Sequence, residues 1–328
     1  MRHTRKESYS SLSLFSQCPY NYYLKYVKGN YSDKSTIPLE IGSLIHGVME
    51  EKKRPDNFLQ KEKLLELFKT GKKCENAMDS FIGIEEIQDK YLEDFLKAGR
   101  KSGLTYNQKL THFHKRIDNE DENGVWEKDR EWNTLAVEFP FEIKCHGVSI
   151  CGKIDLVEIN KEGRLRITDY KTSDTCFEES KLKSPLQMYI YALACKQYFN
   201  KYPVEFVYDL ILLGRYQYAM GDNWEKLGER ELKRIIGKLL VAYETEEFCV
   251  KPSPLCYWCV YNKDGLVQDD KTRLLCDFYS LWTPEDKTWS VNKKWEKDKN
   301  MKQNLEESKQ KKSKSKEVVK TLDKEFVW

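Results

Sequence analysis

Asp155, Asp169 and Lys171 are residues whose types and spacing could do chemistry together. Asp169 and Lys171 stand two apart in Ile167-Thr-Asp-Tyr-Lys171, so on a strand they share a face. Asn160-Lys-Glu-Gly163 is a hairpin-turn signal. A hairpin centred near residue 162 sets Asp155 opposite residue 168 or 169, and directly opposed side chains lie about 5 Å apart. Two carboxylates and a lysine then converge. Two acids that close repel each other unless a positive charge lies between them. A hard divalent cation with oxygen ligands meets that need. Such an ion lowers the pKa of a bound water and polarises a phosphoryl oxygen. The lysine can orient or deprotonate the water, or offset charge that builds on the phosphorane. The plain alternative is a surface hairpin with a cross-strand Asp–Lys pair worth under about 1 kcal/mol.

Further residues widen the choice. Gln187 and Tyr191 are four apart and face the same way on a helix. Gln187 falls in the first turn, where free backbone N–H groups favour anions. An ordinary half-buried helix face has the same spacing. His46 and Glu50 are also four apart, placing an imidazole beside a carboxylate, although a lone His is more often a satisfied structural residue.

These residues need elements to hold them. The first ~130 residues read as mainly helical. Ser10-Ser11 is expected to cap a helix carrying Leu12, Leu14, Phe15, Tyr22 and Tyr23. Gly42-Ser43 marks another helix start, and Lys61–Thr70 and Ile84–Ala98 have helical periodicity. Lys115–Asp129 reads as a charged loop. The pattern then turns to strands over Leu135–Cys145, Val148–Ile159 and Arg164–Lys171. Ser184-Pro185 starts a helix running to about Phe199. Val204–Leu213 reads as another strand and Glu225–Glu247 as a long amphipathic helix. The fold class expected is α/β (α+β), a mixed central sheet flanked by helices.

Composition narrows the class. The chain has 328 residues, 56 Lys+Arg against 53 Asp+Glu, 33% charged and 40% hydrophobic residues. It is too apolar for wholesale disorder, and no stretch nears the ~18 uncharged apolar residues of a membrane helix. The opening Met1–Ser8 is polar and lacks the apolar core of a secretory signal. Ten cysteines are too sparse for a disulfide scaffold. A soluble protein of a reducing, cytoplasmic compartment is expected, with no membrane partner. From Lys287 onward, thirteen Lys face seven acidic residues. That run reads as a solvated tail, or as a phosphate-binding arm.

The motifs in order resemble a known family. Gly42-x3-His46-x3-Glu50, Gly152-Lys-Ile-Asp155, Ile167-Thr-Asp169-Tyr-Lys171 and Gln187-x3-Tyr191 are similar to the RecB-like nucleases of the PD-(D/E)XK superfamily. The opening Ser11-x-Ser13-x2-Ser16-x-Cys18-Pro19-x2-Tyr22 resembles that family's first helix. The resemblance runs from about residue 8 to about residue 260. It implies a restriction-endonuclease-like core and hydrolysis of DNA phosphodiesters with Mg2+ or Mn2+. His46, Asp155, Asp169 and the backbone carbonyl of Tyr170 would hold the metal, with Glu138 on the preceding strand as an assisting carboxylate. Lys171 would be the catalytic lysine, and Gln187 and Tyr191 the accessory pair near the DNA phosphates. The division expected is a helical segment over 1–130, the nuclease core over 131–248, a cysteine-containing segment over 249–286 and the Lys-rich tail over 287–328.

Some members of this family hold an iron–sulfur cluster with one Cys in the first helix and three near the C-terminus. Cys18, Cys256 and Cys259 match the first three positions; the fourth, Cys276, lies seventeen positions past Cys259, farther than the family usually places it. A [4Fe–4S] cluster, zinc, or plain packing of reduced thiols all remain open. The leading function is a metal-dependent DNA nuclease, an exonuclease on single-stranded or unwound ends, serving recombination, repair, replication or CRISPR-type processing. No G-x4-G-K-[ST] motif occurs, so unwinding would come from a partner such as a helicase or single-strand-binding protein. A catalytically silent DNA-binding scaffold on the same fold is the alternative. An adaptor docking through Phe326-Val-Trp328 could coexist with either.

Overall fold

The computed structural model describes residues 2–32, 35–54, 61–72, 80–99, 102–118, 131–173, 175–179, 182, 186–219, 223–262, 272 and 275–276. They divide into two compact units. One draws on Met1–Lys34, Lys144–Ile150 and Arg230–Trp328, the other on Ser35–Ile143 and Cys151–Glu229.

The first unit opens with helix α1 (Tyr9–Gln17), capped by Ser8 rather than by Ser10-Ser11. Ser8 is extended, and its hydroxyl and that of Ser11 each accept the other's backbone N–H. Ser11 therefore sits one turn inside the helix. Helix α2 (Pro19–Tyr22) follows and widens into a π turn over Tyr23–Val27. The buried Tyr22 hydroxyl donates to Glu7 at 2.5 Å, and Glu7 also receives the Ser11 hydroxyl. Tyr22, Tyr243 and Phe248 cluster through their rings. So Tyr22 is a core residue with its one polar atom satisfied.

The second unit holds a helical layer. Helix α3 (Ile37–Lys53) starts at Ile37-Pro38, well before Gly42-Ser43, because Pro38 suits the first turn. Then come α4 (Lys61–Thr70), a two-residue strand pair β1 (Gly71–Lys72) and β2 (Phe81–Ile82), α5 (Ile84–Lys90), α6 (Leu92–Leu96) and α7 (Tyr106–Asp118). The expected single helix over Ile84–Ala98 is broken at Tyr91, whose φ of −126° and ψ of 33° leave the helical range. Lys115–Asp118 is helical rather than loop. These helices bury one apolar cluster, including Leu44, Ile45 and Met49 of α3, Phe68 of α4 and Phe113 of α7. Burying each such side chain contributes roughly 1.5–3 kcal/mol before entropy is counted.

The sheet comprises β3 (Trp132–Cys145), β4 (Val148–Asn160), β5 (Leu165–Lys171), β6 (Pro203–Leu210) and β7 (Arg215–Tyr218), in that spatial order. It is mixed: β4–β5 and β6–β7 are antiparallel, β5–β6 parallel. The β5–β6 crossover contains α8 (Leu186–Phe199). Its expected cap, Ser184-Pro185, lies outside the described residues, as does the tail over 287–328. The expected strand over Val204–Leu213 ends at Leu210, and Ile211–Leu213 turns into a 3-10 helix before β7, which local periodicity does not reveal.

Leu156 and Tyr170 join the helical core, and Val137 packs against it. On the opposite face lies α8, where Phe141 meets Tyr191 at 5.9 Å between ring centroids. Helix α9 (Trp224–Thr245) comes close at Gly228, where a Cβ would fall 2.3 Å from Tyr189 Cγ. The expected mixed sheet flanked by helices is thus what the chain forms.

Candidate active site

The turn that positions the site is made by Asn160. Its side-chain oxygen accepts the N–H groups of Glu162 and Arg164, and Gly163 takes the positive φ of 74°. That fixes the β4–β5 register at Leu156↔Thr168, Val157↔Ile167, Glu158↔Arg166 and Ile159↔Leu165. One step beyond the Leu156↔Thr168 pair, Asp155 comes opposite Asp169. Both lie on the α8 face, since Leu156 and Tyr170 beside them face the helical core.

Asp155 is anchored by its own partner strand, its Oδ2 accepting the Tyr170 N–H at 2.8 Å. Burial, and then the neighbouring charge of Asp169, push its pKa well above the usual carboxylate range, against the pull of that N–H. Asp169 is almost wholly buried. Its Oδ2 faces Lys171 Nζ at 2.5 Å, and its Oδ1 accepts from Gln187 Nε2 at 2.8 Å.

Gln187 connects this set. Its Oε1 accepts from Lys171 Nζ at 3.2 Å, while Nε2 also reaches the Tyr191 hydroxyl at 2.9 Å. Helical spacing brings Gln187 and Tyr191 together, and both are buried. The pair therefore faces Asp169 and Lys171 inside the fold instead of lining an open surface. Tyr191 is held firmly protonated by burial and by the nearby Asp169.

α3 delivers His46, whose Nδ1 lies 3.5 Å from Asp155 Oδ2. Burial lowers its pKa, opposed by the charge of Asp169 and by a backbone hydrogen bond with Tyr170. A neutral imidazole is the form that can ligate a metal. The Tyr170 backbone thus reaches both Asp155 and His46.

Glu50, expected beside His46, pairs instead with Arg54. The carboxylate that reaches His46 comes from Glu138. His46, Glu138 and Asp155 each offer a ligand atom within 4.8 Å of the others. Asp169 does not join that group of three; it stands on the Lys171 side. An imidazole and two carboxylates suit a hard divalent cation, so the donors fit the metal that the motifs imply. Glu138 Oε2 also lies 3.8 Å from the exposed Lys153, and burial and Glu50 raise the Glu138 pKa.

The cysteines form a second cluster, in the other unit. Cys18, Cys256, Cys259 and Cys276 line one small apolar pocket with Leu14, Leu24 and Val250. The segment Pro254–Trp258 forms a 3-10 turn holding Cys256, with the Ser253 N–H 3.4 Å from its sulfur. Asn21 Nδ2 reaches Cys259 Sγ at 3.3 Å, and Cys276 is tied in by its N–H to Tyr261 O. The described cysteines are all free thiols. Burial pushes the Cys259 thiol up to about 12, with Cys276, Cys256 and Cys18 adding to the rise. Among the described residues, no three of these sulfurs lie within 4.8 Å of one another.

Residues 6–263 match the family model described as the PD-(D/E)XK nuclease superfamily. A search of curated proteins finds no match. Among solved structures, a chain from Eubacterium rectale described as a "putative exonuclease" is 13% identical, with a TM-score of 0.44, covering 85% of this chain and 93% of that one. The family match spans both the acid-bearing hairpin and the helix that follows it, and with most of its length so accounted for the chain belongs to the PD-(D/E)XK nuclease superfamily.

Proposed function

We propose that the protein is a divalent-metal-dependent deoxyribonuclease that hydrolyses DNA phosphodiesters, working from single-stranded or unwound ends. One observation carries this reading: Lys171 Nζ, Asp169 and Gln187 form a closed hydrogen-bonded set directly beside Asp155 and His46. A scaffold that had given up catalysis would have no need to keep both acids and the lysine.

His46, Asp155, Asp169 and the Tyr170 carbonyl would hold Mg2+ or Mn2+. When bound, such an ion supplies an activated water and polarises the phosphoryl oxygen. Lys171 orients that water and offsets charge on the phosphorane. Gln187 keeps the lysine and Asp169 in register, and Tyr191 steadies Gln187. The nucleophile is water, so no covalent enzyme intermediate forms. Unwinding is left to a helicase or single-strand-binding partner. No described helix is long and apolar enough to cross a membrane, and the free thiols suit a reducing compartment. Recombination, repair, replication or CRISPR-type DNA processing are the settings such an activity fits.

The test is digestion of end-labelled single- and double-stranded DNA with Mg2+, Mn2+ or chelator. Metal-dependent ladders are expected, favouring single strands. Binding without cleavage by well-folded, metal-supplemented protein would favour the scaffold reading.

For the cysteine cluster we propose a [4Fe–4S] cluster on Cys18, Cys256, Cys259 and Cys276, supported by their common pocket. Protein purified without oxygen is expected to carry iron and acid-labile sulfide, with a broad visible absorption band. Cys276→Ser should lose most of both. Bound zinc, or no metal in the anaerobic protein, counts against the cluster.

A further inference from the structure

We infer that Glu138 is a third carboxylate of the metal site, aimed there by a one-residue slip in β3; this rests on the nuclease reading above. In a regular strand, residues two apart share a face. Val137 packs on the helical core. Phe139, two residues on, lies on the opposite face. Its ring meets Tyr198 at 5.3 Å and Phe199 at 5.0 Å, both on α8. Phe141 continues on that face against Tyr191. The strand changes phase between Val137 and Phe139, and Glu138 absorbs the extra residue with a φ of 46°. That is the behaviour of a β-bulge, which re-aims a side chain. A left-handed conformation is costly for a residue with a Cβ, and such strain persists where the surroundings over-determine it.

The side chain so aimed arrives within 4.8 Å of both His46 and Asp155. Charge explains why it is wanted there. Asp169 is already offset by Lys171 at 2.5 Å. Among the described residues Asp155 has no Lys or Arg so close, its nearest nitrogen being His46 Nδ1 at 3.5 Å. Of the three carboxylates proposed for the ion, Asp155 and Glu138 are the two with no ammonium as close as Lys171 is to Asp169 among the described residues, and they set two negative charges against the divalent ion. Lys153 does not substitute for the ion, since it is 3.8 Å from Glu138 and 57% exposed. Glu138 is therefore a ligand chosen by backbone geometry.

The experiment measures Mn2+ binding by calorimetry and by electron paramagnetic resonance, together with thermal melting of metal-free protein. Wild type, Glu138→Gln, Glu138→Gly and Lys171→Ala are compared. Glu138→Gln is expected to weaken Mn2+ binding about tenfold or more and to shift metal activation of cleavage to higher concentrations. Glu138→Gly should weaken binding equally while raising the melting temperature, because glycine takes the positive φ without strain. A side chain that served only the strand would leave Mn2+ affinity unchanged in both variants. Lys171→Ala keeps Mn2+ binding and loses cleavage. Unchanged Mn2+ affinity in Glu138→Gln, or a lowered melting temperature in Glu138→Gly, overturns the inference. If wild type with Mn2+ bound cleaves no DNA while Glu138→Gln loses Mn2+, the metal ligand stands and the nuclease reading fails.

Discussion

Lys171→Ala is expected to lower metal-dependent DNA cleavage by about 10²–10⁴-fold while leaving a folded protein. The ammonium is set against Asp169 Oδ2, at 2.5 Å, and its side chain is 28% exposed. It is poised to meet charge that develops during the reaction, so the loss should fall on kcat rather than on KM. Lys171→Arg should recover little. The planar guanidinium has a different reach and donor pattern from a compact ammonium. It cannot sit 3.2 Å from Gln187 Oε1 and against Asp169 without displacing one of them. Single-turnover digestion of end-labelled DNA, with circular dichroism of each variant, checks this. Undiminished cleavage by Lys171→Ala would remove the lysine from the reaction.

The largest stability effect should come from the far side of the same sheet. Arg116 on α7 and Asp209 on β6 form an ion pair at 2.5 Å, with side-chain exposures of 6% and 1%. The guanidinium also lies over the Tyr216 ring at 5.0 Å, and Tyr216 is the cross-strand neighbour of Asp209. Arg116→Met leaves the Asp209 carboxylate buried without its cation. Breaking such a pair costs about 3–5 kcal/mol. Adding Asp209→Leu should restore much of that, because the uncompensated charge goes too. Urea denaturation of the three variants measures both effects. A cost under about 1 kcal/mol for Arg116→Met would class the pair with exposed ion pairs. The site should feel the single change as well, since Asp209 pairs with Tyr170, whose backbone faces both Asp155 and His46.

Much of the site is legible in residue types and spacing, for a local reason. Asp155, Asp169 and Lys171 are placed by one turn, and Asn160–Gly163 announces that turn in residue types alone. Gln187 and Tyr191 follow from helical spacing. Their inward role is less visible, because spacing tells which residues share a face and not what that face meets. Glu50 looks like the partner of His46 for the same reason, but Arg54 sits four residues on and takes it. The cap at Ser8 is hidden because several serines crowd the start of α1, and only the backbone shows which of them is extended. Glu138 is the hardest to place. Its position depends on a phase change in β3 that only packing on both sheet faces reveals. The cysteines' common pocket likewise depends on chain segments more than two hundred residues apart.

The slip in β3 also changes what a deletion means there. Losing one residue from the middle of an ordinary strand turns every later side chain to the wrong face. In β3 one residue is already in excess. Without Glu138, Phe139 would follow Val137 directly. Plain alternation would then send Val137 to the helical core and Phe139 and Phe141 to α8, where they already lie. The packing of both faces would survive a loss that elsewhere reverses half a strand. What would go is the metal donor. Architecture and chemistry are thus held by different residues at this one place, and a relative one residue shorter here could keep the whole sheet while parting with a ligand. In such a relative the change in activity would be recorded in the length of a strand and not in any substitution.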